Sequence, residues 1–250
     1  MRRLLPEPAD LLTDEDLLAA YTPPEGVDRH VRANFVASAD GAAWLDGVSG
    51  GLSSPADKGV FTVLRDLADV ILVGAGTVRV EGYSYPAYPP GRRARRRQLG
   101  LAELPSFAVV SGKLDLDRTS SLFAAAPVRT VVITSAGAPP DRRAALEPVA
   151  DVVVAGQDHV DLPAALDLLQ QRGLRRVLCE GGPMLLGSLG TAGLLDELCL
   201  TVAPLLAGPG AGRITAGPGH HPLALRLGHV LTEDGAVFLR YLVDRSAKQG

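Results

Sequence analysis

The chain has 250 residues, of which 46% are apolar and 21% are charged, and its formal net charge is −3. This composition supports a buried core, excludes a disordered chain and argues against electrostatic capture of nucleic acid. The two cysteines, Cys179 and Cys199, are too few for a disulfide scaffold or a multi-cysteine zinc site. Their apolar surroundings predict buried free thiols.

The first thirty residues predict a lead-in segment, followed by a single domain over residues 31–245. Pro6 and the acidic residues around it interrupt the apolar core that a secretory signal requires, and no uncharged apolar stretch is long enough to cross a bilayer. We therefore expect a soluble, cytoplasmic protein with no membrane partner. Thr13 followed by Asp16 predicts a capped short helix over residues 13–20.

Strands and helices alternate from residue 31 onward. Continuous apolar runs predict strands over residues 31–39, 70–76, 107–111, 130–135, 151–155 and 176–180. Helices are predicted to begin at Pro55 and to cover residues 139–147, 161–172 and 183–192. This alternation predicts a three-layer α/β fold, with helices on both faces of a mainly parallel central sheet.

The C-terminal part predicts antiparallel strands. A long strand is expected over residues 195–208. Asp234-Gly235 lies between the apolar runs 225–232 and 236–243, which is a strong signal for a β-hairpin. The sequence therefore predicts that an antiparallel C-terminal hairpin extends the parallel sheet.

Some polar and aromatic positions allow two interpretations. The arginine-rich segment 91–97 is interpreted as a solvated loop, with a phosphate-binding or partner-binding patch as the alternative. His220 and His221 are predicted to lie in a surface loop. Trp44 either anchors its own glycine-rich loop or stacks on a ligand ring.

Glycine-containing turns follow several predicted strands. The segments 74–77 (Gly-Ala-Gly-Thr) and 180–183 (Glu-Gly-Gly-Pro) each follow a strand and precede a helix. Ligands bind at the carboxyl ends of strands in open α/β sheets, and a helix N-terminus presents unpaired N–H groups to phosphate. These turns predict a phosphate cradle, although similar turns also occur for structural reasons alone. The five histidines lack metal-ligand spacing, so no metal site is predicted.

The order of short motifs along residues 31–243 resembles the reductase domain of bacterial riboflavin biosynthesis. The motifs are Ser38-Ala39-Asp40-Gly41, Ser53-Ser54-Pro55, Leu64-Arg65, Gly74 to Arg79, Glu180 to Pro183, Asp196-Glu197-Leu198 and Ala203 to Gly208. The resemblance implies a dihydrofolate reductase-like fold and reduction of a ribosylaminopyrimidine phosphate by NADPH, typically in a homodimer. The motifs of the zinc deaminase domain that precedes bifunctional members do not occur, so we expect a stand-alone reductase.

The resemblance also implies the site residues by position. Contacts with NADPH are expected at Val36, Gly51, Thr77, Glu81, Ser111 or its neighbour Gly112, Gly181, Gly182, Pro183, Met184, Leu185 and Leu186, with the run reaching Ser188. Substrate contacts are expected at Ser49, Arg65 and Glu180, where Arg65 suits a phosphate or carboxylate and Glu180 a hydroxyl. Without the resemblance, Arg65 would be interpreted as a charged residue on the solvent-exposed face of a helix. Glu180 would be interpreted as a residue that caps the end of a strand.

Two residues depart from the family pattern. Ala42 stands where many members have a lysine or arginine after Asp40-Gly41. Asp57 resembles the carboxylate with which dihydrofolate reductases hold a pterin, so Asp57 and Glu180 are predicted to be catalytic and Asp57 also to bind substrate. Alternatively, Asp57 only stabilises its helix N-terminus. A pterin reductase and a catalytically silent NADP-binding protein therefore stay open as alternatives.

Overall fold

The computed structural model describes residues 1–217 and 222–246, so His220 and His221 lie outside the described residues. The strands are β1 (Arg2–Leu5), β2 (His30–Ser38), β3 (Val70–Gly74), β4 (Ser106–Val110), β5 (Thr130–Thr134), β6 (Ala150–Val154), β7 (Arg176–Cys179), β8 (Glu197–Ala203), β9 (Leu225–Glu233) and β10 (Ala236–Val243). The helices are α1 (Asp14–Tyr21), α2 (Pro55–Asp66), α3 (Ala75–Val80), α4 (Pro90–Gln98), α5 (Pro140–Leu146), α6 (Leu162–Gln171) and α7 (Pro183–Thr191), with a 3₁₀ turn at Ser49–Leu52.

The strands form one sheet in the order β1-β9-β10-β8-β2-β7-β3-β4-β5-β6. All neighbours from β8 through β2 to β6 pair in parallel. Strands β9 and β10 form an antiparallel hairpin, which joins β8 on one side and β1 on the other. The predicted mainly parallel sheet with an antiparallel C-terminal hairpin is confirmed.

Helices cover both faces of the sheet because side chains alternate between the faces along each strand. The face that includes Val31 packs on α6 and α7. The face that includes Ile71 packs on α1, α2, α3 and α5. The predicted three layers are therefore confirmed, and Cys179 and Cys199 lie buried and free within them. None of the described helices is long and apolar enough to cross a membrane.

The interpretation of residues 91–97 as a solvated loop is wrong, because these residues belong to helix α4. Pro90 occupies the first turn, where proline is tolerated, and arginine is a good helix former. Arg96 is completely buried, and its guanidinium donates to the carbonyls of Arg65 and Asp66 at 3.0 Å and of Ala68 at 2.7 Å. Helix α4 therefore satisfies backbone carbonyls at the C-terminal end of α2.

Two further features of the strands differ from the sequence analysis. The strand predicted over residues 195–208 ends at Ala203, since the backbone turns away at Pro204. Strand β1 was not predicted, and it pairs with β9 at the edge of the sheet. Helix α1 is confirmed, with Thr13 and Asp16 forming the expected capping box. The division of the chain at residue 30 stays a prediction.

A buried ionic network surrounds Glu197 at the start of β8. Its carboxylate contacts Arg32 Nε at 2.6 Å, Arg240 Nη2 at 2.9 Å and His30 Nε2 at 3.1 Å. Burial alone would raise the pKa of Glu197, but Arg32 and its other partners outweigh burial and hold that pKa well below its ordinary value. Both arginines also donate to carbonyls in the last turn of α1, so the network joins three strands to this helix.

Candidate active site

The predicted site residues follow strands that lie side by side in the middle of the sheet. Strands β8, β2, β7, β3 and β4 are consecutive neighbours and run in the same direction. Their carboxyl ends therefore meet at one edge, where open α/β sheets bind their ligands. The loops after these strands carry the candidate site.

Two glycines bring β7 and β3 together at this edge. Gly74 N donates to Gly181 O at 2.8 Å, and the peptide bond between Gly181 and Gly182 is cis. Gly181 has a φ of +97° and faces the Phe35 ring, so this position requires glycine. Gly182 has a φ of −84°, but a Cβ there would lie 2.5 Å from Thr77 Oγ1. A side chain at Gly182 would therefore require the Thr77 hydroxyl to move.

The bare backbone at Gly181 and Gly182 leads directly into the nine-residue helix α7. A helix N-terminus whose cap residues carry no side chains of their own, with the Thr77 hydroxyl beside it, fits the phosphates of a nicotinamide cofactor. Leu185 and Leu186 are buried, so their side chains serve the core, whereas the Met184 side chain is exposed. Of these three predicted cofactor residues, Met184 has a side chain that can meet a ligand at the surface.

The other predicted cofactor residues lie along the same edge. Glu81 Oε1 accepts from Ser49 N at 2.9 Å, which joins the end of α3 to the 3₁₀ turn. Gly51 lies in that turn, and Val36 is half-buried near the end of β2. Ser111 follows β4, and its buried hydroxyl accepts a backbone N–H of its own turn. The structure thus links Ser49 with Glu81, and it places Ser111 after a strand further along the sheet.

Arg65 and Glu180 form an ion pair between α2 and the end of β7. Arg65 Nε and Nη2 each donate to one carboxylate oxygen of Glu180 at 2.7 Å. The Arg65 guanidinium also lies 4.2 Å from the centroid of the Phe61 ring. Burial alone would lower the pKa of Arg65, but the Glu180 carboxylate outweighs burial and raises it. Arg65 is therefore not a solvated helix charge, and its pairing with Glu180 supports the predicted placement of both at the site.

Sequence reasoning missed Tyr83, whose hydroxyl donates to Glu180 Oε2 at 2.9 Å. Burial, followed by the Glu180 charge, raises the pKa of Tyr83 well above its ordinary value. Tyr83 is thus a protonated donor at neutral pH. The sequence offers only a weak signal for it, a group of tyrosines between residues 83 and 88 without the periodicity of a regular element.

Asp57 is buried in the first turn of α2. Its backbone N–H donates to Ser54 Oγ at 3.1 Å, and its carboxylate accepts from Ser53 Oγ at 2.5 Å. Within residues 1–217 and 222–246, no hydrogen bond joins Asp57 to Arg65 or Glu180. The contacts of Asp57 agree with a role at the helix N-terminus, and its catalytic role stays a prediction.

The loops after β2 and β8 are held together beside the site. The carboxylate of Asp40 accepts from the Ser38 hydroxyl and from the backbone N–H groups of residues 207–208. These hydrogen bonds, with that of Ser38 first, lower the pKa of Asp40 to about 2. The Trp44 ring packs so closely on Gly212 that no Cβ fits there. Trp44 therefore packs on the loop that contains Gly212, and stacking on a ligand ring stays a prediction.

Known proteins are similar to this chain over most of its length. The RibD C-terminal domain family matches residues 29–239. A 2,5-diamino-6-ribosylamino-4(3H)-pyrimidinone 5′-phosphate reductase from Archaeoglobus fulgidus is 31% identical over 157 residues, which are 63% of this chain and 71% of the relative. The reductase of the same name from Methanothermobacter thermautotrophicus is 36% identical over 58% of this chain and 63% of its own length.

A solved structure is similar over nearly the whole chain. It is a pyrimidine reductase-like protein from Corynebacterium diphtheriae, 30% identical, with a TM-score of 0.84 over 94% of this chain and 100% of that one. A Saccharomyces riboflavin biosynthesis reductase, 17% identical, has a TM-score of 0.68 and shows the fold alone. These neighbours confirm the predicted dihydrofolate reductase-like fold.

Proposed function

Because the chain belongs to the RibD C-terminal domain family, the pyrimidine reductases of riboflavin biosynthesis, we propose that it reduces a ribosylaminopyrimidine phosphate with NADPH. The observation that carries the proposal is the Arg65–Glu180 pair beside the bare backbone of Gly181 and Gly182. The arginine suits a sugar phosphate, and the glycines admit the phosphates of a cofactor. The expected substrate is 5-amino-6-(5-phosphoribosylamino)uracil or its 2,5-diamino counterpart.

The chain's own residues would place the two ligands. When bound, NADPH supplies the hydride, while the protein supplies orientation and charge. The α7 N-terminus and Thr77 would hold the cofactor phosphates, and the segments around Gly51 and Glu81 would contribute further cofactor contacts. Ser49 and Arg65 would bind the substrate next to Glu180. This arrangement would bring the substrate sugar and the cofactor to the same strand ends.

The preference for NADPH over NADH is a separate part of the proposal. Arg79 is half-exposed near the end of α3, and its Nη1 donates to the carbonyl of Asp115 at 2.8 Å. Its remaining N–H groups suit the extra phosphate of NADPH. Fluorescence titration should show at least tenfold tighter binding of NADPH than of NADH, and Arg79→Met should reduce this difference. Equal affinities for both cofactors would contradict the assignment.

The substrate is tested by following NADPH absorbance with each candidate. We expect oxidation of NADPH with the ribosylaminopyrimidine phosphate and none with dihydrofolate. The buried Ala42 offers no charge in place of the family's cation, so Arg65 would supply the positive charge near the phosphate. Arg65→Ala should therefore abolish most of the activity, whereas Asp57→Asn should change kcat/KM less than about tenfold.

The alternatives predict different outcomes of this assay. A pterin reductase would oxidise NADPH with dihydrofolate and lose about tenfold or more in kcat/KM in Asp57→Asn. A silent NADP-binding protein would bind NADPH and turn over none of the substrates. Either outcome would refute the pyrimidine assignment.

We also propose a homodimer formed through the C-terminal strands. Val202, Val230, Val237 and Leu239 are half-buried and lie on one face of β8, β9 and β10. Phe238 points to the opposite face, which α1 and α2 cover. A second copy would bury this apolar patch through two-fold symmetry.

Light scattering should give the mass of a dimer, and Leu239→Lys should give a monomer. Leu206→Lys, which changes an exposed loop residue, is the matched control. A monomeric wild-type protein would refute the dimer. The cytoplasmic location expected from the sequence stays a prediction.

A further inference from the structure

The guanidinium of Arg65 has two edges that differ in their surroundings. Its Nε and Nη2 groups are bound to Glu180, whereas its Nη1 makes no hydrogen bond within residues 1–217 and 222–246. The Arg65 side chain is 12% exposed, compared with 1% for Glu180. Since a guanidinium carries five donors in a planar fork, the edge that contains Nη1 stays available for an anion. The Glu180 side chain, by contrast, is almost completely buried.

Tyr83, which follows helix α3, also holds the Glu180 carboxylate. Glu180 Oε2 accepts from both Arg65 Nη2 and Tyr83, whereas Oε1 accepts, among the described residues, from Arg65 Nε alone. The Tyr83 hydroxyl thus fixes the rotation of the carboxylate. The carboxylate, together with the Phe61 ring below, fixes the plane of the guanidinium. The direction of the free Arg65 edge therefore depends on Tyr83 through Glu180.

We propose that Tyr83 is a positioning residue, which acts through Glu180 to direct the free edge of Arg65 toward the phosphate monoester of the substrate. The inference rests on the proposed function, because it uses the phosphorylated substrate assigned there. Arg65 is the group that would touch the ligand, and the Tyr83 hydroxyl acts through its hydrogen bond to Glu180. Glu180 thereby supports Arg65, and the direct contact of Glu180 with a substrate hydroxyl that the sequence predicts stays a prediction.

The test compares two tyrosine variants that each lose one hydroxyl. Tyr83→Phe removes the hydrogen bond to Glu180, and Tyr85→Phe removes a bond to the carbonyl of Pro105. Calorimetry with ribose 5-phosphate measures binding of a phosphate monoester without turnover. Tyr83→Phe should weaken this binding about fivefold and raise KM for the phosphorylated substrate by a similar factor. Its kcat and its NADPH affinity should stay unchanged, and Tyr85→Phe should match the wild type.

A second background shows whether Tyr83 acts through the ion pair. In Glu180→Gln protein, or in Arg65→Lys protein if the former does not fold, Tyr83→Phe should cause no further loss. Unchanged ribose 5-phosphate binding in Tyr83→Phe, the same loss in both backgrounds, or no binding by the wild type would overturn the inference. Tyr83-dependent binding without any NADPH oxidation would refute the proposed function alone.

Discussion

The substitution Gly182→Ala tests two roles of this residue, its packing against Thr77 and its binding of the cofactor. In Gly182→Ala, the new Cβ would lie 2.5 Å from Thr77 Oγ1, whereas ordinary contacts begin at 3.4 Å. Thr77 must therefore move by about 1 Å, and overpacking of this kind costs about 1–3 kcal/mol. The φ of −84° suits alanine, so backbone strain adds nothing. We expect the free energy of unfolding in urea to fall by about 2 kcal/mol.

Removing the Thr77 hydroxyl should restore stability but not cofactor binding. In Gly182→Ala/Thr77→Ala, the nearest remaining Thr77 atom is the Cβ at 3.9 Å, an ordinary contact. The free energy of unfolding of the double variant should lie within about 0.5 kcal/mol of that of Thr77→Ala. Its NADPH affinity should stay well below that of Thr77→Ala, because the methyl group still covers the backbone. Gly190→Ala on α7, where among the described residues the added Cβ meets only Leu223 at 3.5 Å, is the control. Wild-type stability in Gly182→Ala, or NADPH affinity equal to that of Thr77→Ala in the double variant, would refute this reasoning.

Other perturbations test the interior of the fold. Burial, followed by the Arg240 charge, lowers the pKa of His229 to about 4, so His229 stays neutral in the folded protein while the unfolded chain takes up a proton near pH 6.5. Stability should therefore fall by up to about 3 kcal/mol between pH 6.5 and 4, and His229→Gln should flatten the dependence of Tm on pH in this range. Arg96→Met should lower the free energy of unfolding by about 3 kcal/mol because buried carbonyls lose their donor, whereas the exposed Arg97→Met should change it by less than about 0.5 kcal/mol. A chelator should change neither activity nor Tm, since no group of three metal-binding side chains exists in the described parts of the chain, and a metal-dependent rate would contradict this.

The sequence predicted the elements whose apolar pattern is set by the sheet. Strands such as β3 and β5 are buried on both faces, so their continuous apolar runs identify them within one or two residues. Helix α4 was not predicted, because a run of arginines normally indicates a solvent-exposed segment. Arg96 reverses this expectation, since backbone carbonyls satisfy its donors in the interior.

The sequence predicted which strand ends carry the candidate site, but it did not predict the contacts between the side chains there. The glycine turns indicated the edge at which Arg65, Glu180 and Thr77 come together, because parallel strands bring their carboxyl ends together. The pairing of Arg65 with Glu180 joins residues that are 115 positions apart, and no local pattern encodes such a contact. The need for glycine at position 182 is likewise a tertiary effect, because it arises from Thr77 on another helix.

The network around Glu197 constrains how this protein can change over evolutionary time. Loss of the carboxylate by a single substitution would leave Arg32 and Arg240 buried without their counter-charge, which costs about 3–5 kcal/mol for a buried pair. That cost is a large share of the whole stability of a typical domain. Replacement of all the charged members by apolar residues of similar volume would avoid it. Relatives are therefore expected either to keep all the charged residues of this network or to replace all of them. Sequences that have lost one charged residue are expected to be rare.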